Sequence, residues 1–305
     1  MRYIALRLLG LVGVVLFVSL VTFSIMHAIP GGPFDEDKMP LPKEAKQAIL
    51  KSFGLDKPLW KQYLLYLWNA LHLDFGYSYQ SPGETVIQLL TRVWPVSMQL
   101  GAMSLALAIP IGLLLGVLAA VRQNSWLDYL TTFLATLTII TPHFVLAIGL
   151  ILLLSTALNL LPTGGWERPQ QWIMPVIAYS LGPLGTIARY TRTSMLEALR
   201  SEFVRTARAK GISEPRVIMK HVFKNAQLPL ITIIGPMFPN LLTGSIFVEG
   251  IFRIPGLGQF FVTSIYQRDY PMIMALSLLA ASLVTLIYFI TDFVYMWADP
   301  RIKLE

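Results

Sequence analysis

Residues 1–32 read MRYIALRLLGLVGVVLFVSLVTFSIMHAIPGG, and the reading of this stretch decides the fold. It opens with Arg2 and carries an apolar run from Ile4 to Met26. A secretory leader also has a charged start, but its apolar run is about 7–15 residues and ends at a small-residue cleavage site. Here the run is longer, and no A-x-A-like site follows it. The stretch is therefore read as an uncleaved first membrane helix.

Composition extends that reading to the rest of the chain. Its 305 residues would suffice for two soluble domains by length. Hydrophobic residues make up 55%, however, and charged residues 13%, about half of the ~25% usual in a soluble domain. There are no cysteines, which excludes disulfides, thiolate metal sites and cysteine catalysis. Six apolar segments, at 8–29, 96–121, 129–158, 172–190, 229–250 and 272–298, are long enough to cross a hydrocarbon core ~30 Å thick. The fourth contains Pro175, Gly182, Pro183 and Gly185, which predicts a kinked or short helix. The expected fold is an all-α polytopic membrane protein with six transmembrane helices.

Charge sets the expected orientation, because cytoplasmic segments carry the excess of Lys and Arg. With the N-terminus inside, the inner segments 1–7, 122–128, 191–228 and 299–305, with Arg189, hold fourteen bases and six acids. The outer segments hold ten of each. The chain then divides into a first transmembrane helix over 1–29 and an extracytoplasmic loop over 30–95. A core of five spans follows over 96–298, with the cytoplasmic loop 191–228 inside it, and a cytoplasmic tail over 299–305. In the outer loop, Leu50, Phe53, Leu59, Tyr63, Leu64, Tyr66 and Leu67 recur at helical spacing, broken at Gly54 and Pro58. This predicts two amphipathic helices on the outer face. Trp94, Trp166, Trp172 and Tyr270 are expected at the interfaces.

Several activities lack their motifs. There is no G-x-x-x-x-G-K-[ST] phosphate loop, no H-E-x-x-H and no G-x-S-x-G. The four histidines, His27, His72, His143 and His221, are scattered, so no shared metal site is expected. No filter-like run and no inverted repeat is visible. Catalytic, cofactor-binding and metal-ligating residues are therefore expected to be absent from this chain.

The inner loop holds the densest charge. Residues 195–210 are good helix formers, and Phe203, Ala207 and Gly211 fall at i, i+4, i+8 on one side, with Arg205 and Arg208 beside them. Gly211 would end this helix, Ser213 or Glu214 would cap a second, and Arg216, Lys220 and Lys224 would form a basic stripe along it. Three roles compete for this hairpin: contact with anionic lipid, nucleic-acid binding, or docking of a cytoplasmic partner. The lack of interleaved aromatics speaks against nucleic acid. Thr138, Thr141, Ser155, Thr243 and Ser245 are weakly polar candidates for a pathway. Asp292 is the one clear acid inside a span, and either faces the pathway or pairs structurally. Glu249 either meets a solute or delivery protein or hydrogen-bonds the turn RIPGLG.

RTARAKG (205–211) followed by VIMKHVFKNAQLP (217–229) resembles the cytoplasmic loop of ABC-importer permeases of the dipeptide, oligopeptide and nickel type, in their B-type form. The general importer pattern is E-A-A-x3-G followed by I-x-L-P. Gly211 matches its glycine and Ala207 its second alanine, while Arg205 and Thr206 replace the glutamate and first alanine, and Pro229 comes late. These departures are similar to those of the peptide subfamily. IPGGPF, FGLDKPLWKQY, LDFGYSY, GVLAAVRQNSWLD, LPTGGW, VEGIFRIPGLGQ and DPRIK resemble further family signatures in order along the chain.

The resemblance implies a type I importer permease fold in the inner membrane, with both termini cytoplasmic. It implies a C-type second permease, two ATPase subunits that hold ATP and Mg, and an extracytoplasmic substrate-binding protein. Glu202, Phe203, Arg205, Thr206, Ala207, Arg208, Ala209, Lys210 and Gly211 would form the ATPase-coupling segment. The implied cargo is di- or oligopeptide; nickel chelates, glutathione and oligosaccharides are the alternatives within the family, and an ATP-independent carrier or channel the rival outside it.

Overall fold

The structure is a computed structural model that describes residues 2–29, 47, 50–81 and 83–298. The tail 299–305 and the part of IPGGPF beyond Ile29 lie outside the described residues. Among the described residues the regular structure is helical, joined by turns and loops, apart from one isolated bridge between Tyr77 and Thr85. It forms two compact units, residues 1–95 with 259–285, and residues 96–258 with 286–305.

In the first unit, α1 (Arg2–Ala28) presents Leu9, Phe17 and Ile25 outward and turns Ser19, Phe23 and Met26 inward. That outward apolar surface is what lipid accepts and water does not. Ser19 Oγ donates to the Leu16 carbonyl at 2.8 Å and also hydrogen-bonds the Tyr63 hydroxyl at 2.8 Å. Tyr63 belongs to α2 (Leu59–Leu71), one of the amphipathic helices expected from the sequence. Gly54, at φ +66°, and Pro58 separate α2 from the residues before it, as their conformational limits require. Tyr63, Tyr66 and Leu67 are partly buried, whereas Trp60, Leu64, Trp68 and Leu71 form an exposed apolar stripe at helical spacing. A helix with this second stripe is suited to lie in a membrane interface.

The second unit contains most of α3 (Val86–Val121) and all of α4 to α10. These are α4 (Trp126–Ile140), α5 (His143–Ala157), α6 (Pro169–Leu199), α7 (Glu202–Ala209), α8 (Glu214–Ile234), α9 (Met237–Leu242) and α10 (Ile246–Phe252). The helices α11 (Leu257–Gln267) and α12 (Tyr270–Ala298) complete the chain. Among the described residues three helices carry uninterrupted spans, Leu9–Ala28, Val86–Val121 and Tyr270–Met296. The third expected span is instead a broken pair, α4 and α5, bent by 105°. Thr141–Pro142 causes the break, since proline disfavours the helical conformation of its predecessor. The fifth expected span is also broken, bent by 43° between α8 and α9 at Gly235–Pro236.

The fourth expected span lies within α6, which is neither short nor interrupted. It runs 31 residues through both Pro175 and Pro183, which are buried. It is not among the helices apolar enough to count as a membrane span by length and composition, and it carries Arg189, Arg192 and Glu197 in its last third. Small residues seat it. A Cβ at Gly112 of α3 would stand 2.9 Å from the Leu184 carbonyl oxygen, and one at Gly116 would stand 2.6 Å from that of Ala188. Gly185 meets α4 in the same way, 2.7 Å from the Ala135 carbonyl oxygen. Helices in lipid associate through such close backbone contact, since apolar burial gives little drive between them there.

The core of this unit is built from Leu100, Met174, Ala178, Tyr179, Val248 and Phe252. Trp166 and Trp172 pack with this core: their rings are 5.7 Å apart, and the Trp166 indole donates to Gln99 Oε1 at 3.1 Å. One ion pair is deeply set. Asp128, 1% exposed in the first turn of α4, accepts from Arg192 of α6 and from the Asn124 amide at 2.9 Å.

Candidate functional site

The expected single helix over 195–210 is two helices. Helix α6 ends at Leu199, Arg200 and Ser201 make the break, and α7 begins at Glu202. Ser201 is extended, and its hydroxyl donates back to the Ala198 carbonyl at 2.5 Å, closing the end of α6. The restart resets which residues face inward. Val204 and Ala207 are buried, packed with Ala120, Met195, Val217, Val222 and Ala226. Ala207 therefore does not share an outward face with Phe203 and Gly211; it belongs to the chain's own core.

The outward surface of α7 consists of Glu202, Phe203, Arg205, Thr206, Arg208, Ala209 and Lys210, continued by Gly211. Phe203 remains 39% exposed, a large ring among cations. Arg205 pairs with Glu202 at 2.8 Å, and Arg208 grips Glu214 through two bonds of 2.6 and 3.1 Å. Both pairs are solvent-facing, so each contributes at most about 1 kcal/mol. Hydrogen bonding to Glu214 also raises the Arg208 guanidinium above its ordinary value, so its charge is constant. Gly211 has φ +74°, and its amide donates to the Arg208 carbonyl at 2.9 Å. Nothing lies within 4 Å of where its Cβ would be, so within this chain glycine serves the turn rather than a close approach.

Helix α8 starts as expected after Ser213, although the serine side chain makes no capping bond. Its Val217–Val222 stretch is π-helical, which widens the turn and shifts the register of Arg216, Lys220 and Lys224. All three remain exposed, and so does Met219. The surface joining α7 to α8 is thus cationic with two bare apolar side chains, Phe203 and Met219.

Of the two readings left open for Glu249, the geometry builds the turn. Its carboxylate is fully buried and accepts from Ser97 Oγ at 2.7 Å, from the Gly258 amide at 2.7 Å and from the Ser245 amide at 3.3 Å. Ser97 Oγ in turn accepts from the Leu257 amide at 2.8 Å. Three glycines make the space. A Cβ at Gly244, Gly256 or Gly258 would stand 2.3, 2.5 or 2.9 Å from a Glu249 carboxylate oxygen. Arg253, at φ +54°, turns the chain between α10 and this cradle. Ser97 and the glycine cradle escaped the sequence reading, although the alternation G-L-G ahead of Gln259 was a usable sign.

The remaining candidates separate. Asp292 is half-buried on α12, next to Thr291, whose Oγ1 would be 2.9 Å from a Cβ at Gly235. Ser155 is buried in α5 and Ser245 caps α10 by accepting from the Val248 amide at 3.2 Å. Thr243 Oγ1 donates to the Pro239 carbonyl at 2.9 Å. Thr138 and Thr141 come together with His143, Thr186 and Asn240 around the broken helices. Among the described residues no three His, Asp or Glu side chains are grouped as a metal ion requires.

Several membrane spans, two of them broken, and an exposed cationic hairpin define a multi-pass helical membrane protein. Residues 112–304 match the family of binding-protein-dependent transport system inner membrane components, and residues 1–101 match its N-terminal part. The chain belongs to that family. It is 41% identical over 305 residues to the dipeptide transport system permease protein of Bacillus subtilis (strain 168), covering 100% of this chain and 98% of the relative. It is 37% identical to the oligopeptide transport system permease protein of Escherichia coli (strain K12), covering 99% of each. Among solved structures, an inward-facing form of the MetNI methionine ABC transporter aligns with a TM-score of 0.56 at 20% identity, over 70% of this chain and 97% of that one. That likeness concerns the fold. The chain is thus a multi-pass inner-membrane permease, and the resemblance seen in its motifs holds along its length.

Proposed function

We propose that this chain is the B-type permease subunit of an ATP-driven importer that carries di- and oligopeptides inward. Its similarity to dipeptide and oligopeptide permeases along essentially their whole length carries this reading. The chain does no covalent chemistry itself. ATP and Mg are held by two partner ATPase subunits, a C-type permease completes the pathway, and a substrate-binding protein delivers cargo from outside. The N- and C-termini are cytoplasmic, which puts α7 on the ATPase side.

Helix α7 is the handle for the ATPase. Its exposed Phe203, with Arg205, Arg208 and Lys210 around it, suits a groove that is apolar at its base and acidic at its rim. A coupling element transfers work only if its partner's two states bind it differently, so α7 must be gripped more tightly in one nucleotide state than in the other.

The test is reconstitution of the four-subunit complex with its binding protein in liposomes. Labelled tripeptide should accumulate only when ATP is supplied on the ATPase side. Accumulation without ATP would favour the carrier or channel. ATP-driven uptake of a nickel chelate, glutathione or an oligosaccharide, with no peptide uptake, would reassign the cargo.

A further inference from the structure

We propose that the cleft at the break between α4 and α5 is a station on the solute path that hydrogen-bonds peptide amides, with Asn240 of α9 as its principal group. This rests on the peptide-permease reading and assigns residues to it. The cleft has a volume of about 550 Å³ and lies where α4 passes to α5, against α6 and α9. Its size falls in the roughly 300–1,000 Å³ range of small-molecule sites.

Three observations point to a polar solute. First, irregular backbone at membrane depth is tolerated only inside protein or along a water-filled cavity, and the break at Thr141–Pro142 lines the cleft, with α9 just past the second break facing it. Second, the Asn240 side chain is exposed and makes no hydrogen bond among the described residues. A bare primary amide is strongly disfavoured against hydrocarbon, so it requires water, a solute or a partner. Third, the other polar groups are committed as donors to their own backbone. Thr138 Oγ1 donates to the Ala135 carbonyl at 3.0 Å, Thr141 Oγ1 to that of Leu137 at 2.7 Å, and Thr186 Oγ1 to that of Gly182 at 3.0 Å. Their oxygens keep free lone pairs.

His143 completes the set. A carbonyl can only accept, so the 3.4 Å contact between His143 Nδ1 and the Ala178 oxygen puts the proton on Nδ1 and leaves Nε2 an acceptor in the neutral ring. Gly182 makes room for this ring, since a Cβ there would stand 2.8 Å from His143 Cε1. Tyr179 steadies both key residues. Its ring meets His143 edge-on at 5.7 Å, and its hydroxyl donates to the Asn240 carbonyl at 3.0 Å.

The cleft therefore offers several acceptors and one group, the Asn240 amide, that both donates and accepts. No acidic residue, lysine or arginine lines it. A peptide bond presents one N–H and one C=O, which a primary amide matches regardless of side chain. Such a contact suits cargo of variable sequence and is weak enough to release it.

The chain has no cysteine, so a single introduced thiol is unique within it. The experiment uses the reconstituted complex with Asn240→Cys, and with Asn240→Leu and Thr141→Val, each checked for assembly by size exclusion. A bromoacetylated tripeptide, supplied on preloaded binding protein with ATP, should alkylate the Asn240→Cys variant during turnover, and at most a tenth as much without ATP. In wild type an N-methylated tripeptide should be taken up about tenfold more slowly than its parent, whereas in Asn240→Leu the two should differ less than twofold. Thr141→Val, which keeps shape and loses the hydroxyl, should narrow the difference to an intermediate value. No alkylation, with both variants still discriminating tenfold, would overturn the cleft while leaving the permease reading intact. A wild-type complex that moves no peptide would overturn both.

Discussion

Asp128 and Arg192 are joined by a two-pronged ion pair that ties the first turn of α4 to the last third of α6. Asp128 is almost wholly buried, while Arg192 keeps about a quarter of its side-chain surface, 27%, exposed. The Asn124 amide adds a third bond to the same carboxylate, at 2.9 Å.

Removing one partner strands the other. Arg192→Ala should destabilise the chain by about 2–3 kcal/mol, slightly below the usual cost of breaking a fully buried pair. Replacing both, with Asp128→Leu and Arg192→Met, should cost less than Arg192→Ala alone. Thermal unfolding of the three variants in detergent checks the order; a double variant less stable than the single would refute it.

The Glu249 cradle has little spare volume. Gly256→Ala places a Cβ 2.5 Å from the carboxylate and should destabilise the α10–α11 turn by roughly 1–3 kcal/mol through overpacking. Glu249→Gln keeps the shape but turns an acceptor into a donor facing N–H groups, at a cost of about 1–3 kcal/mol. Limited proteolysis of that turn, with native mass as control, reads both effects.

Helix α7 separates folding from coupling residue by residue. Ala207→Asp buries an unpaired carboxylate among Met195, Val204 and Val222, so it should lower the yield of folded chain rather than uncouple it. Phe203→Ala and Arg205→Ala lie on the outer surface and should leave thermal unfolding within about 0.5 kcal/mol of wild type. Both should weaken capture of the ATPase subunits in a pull-down at least fivefold; undiminished capture would remove α7 as the handle.

Gly211 is a test of backbone conformation. At φ +74°, Gly211→Val should cost about 1–2 kcal/mol through left-handed strain, although there is open space for its side chain. Gly211→Asn, which tolerates that region, should cost less. The pair is compared by thermal unfolding and by uptake.

Orientation has its own measurement. A reporter enzyme fused after Ile212 should be active only in the cytoplasm, and one fused after Trp60 only outside. The reverse pattern would invert every assignment of sides.

The parts of this fold that were legible in the sequence are those governed by local rules. The apolar run from Ile4 to Met26, the break at Gly54 and Pro58, and the turn at Gly211 each follow from a few adjacent residues. What escaped depended on distant partners or on register. The run 129–158 is uniformly apolar, so its periodicity did not reveal a 105° bend, although Thr141–Pro142 marked the place. The inward turn of Ala207 depends on the restart at Ser201, which a window of good helix formers conceals. Glu249 could not be placed because Ser97 is far away along the chain. Asn240 lies inside the expected span 229–250, where nothing local sets it apart; only the folded chain places it in one cleft with His143.

Helix α7 rests on residues from the ends of α3 and α6 and the start of α8, with Val204 and Ala207 filling the space beneath it. The footing is not solid throughout, since Arg208 and Glu214 also rim a cleft lined by Ala120, Leu196 and Ile218. A push on α7 would pass to α3, α6 and α8 through Val204 and Ala207, the two dowels that seat it.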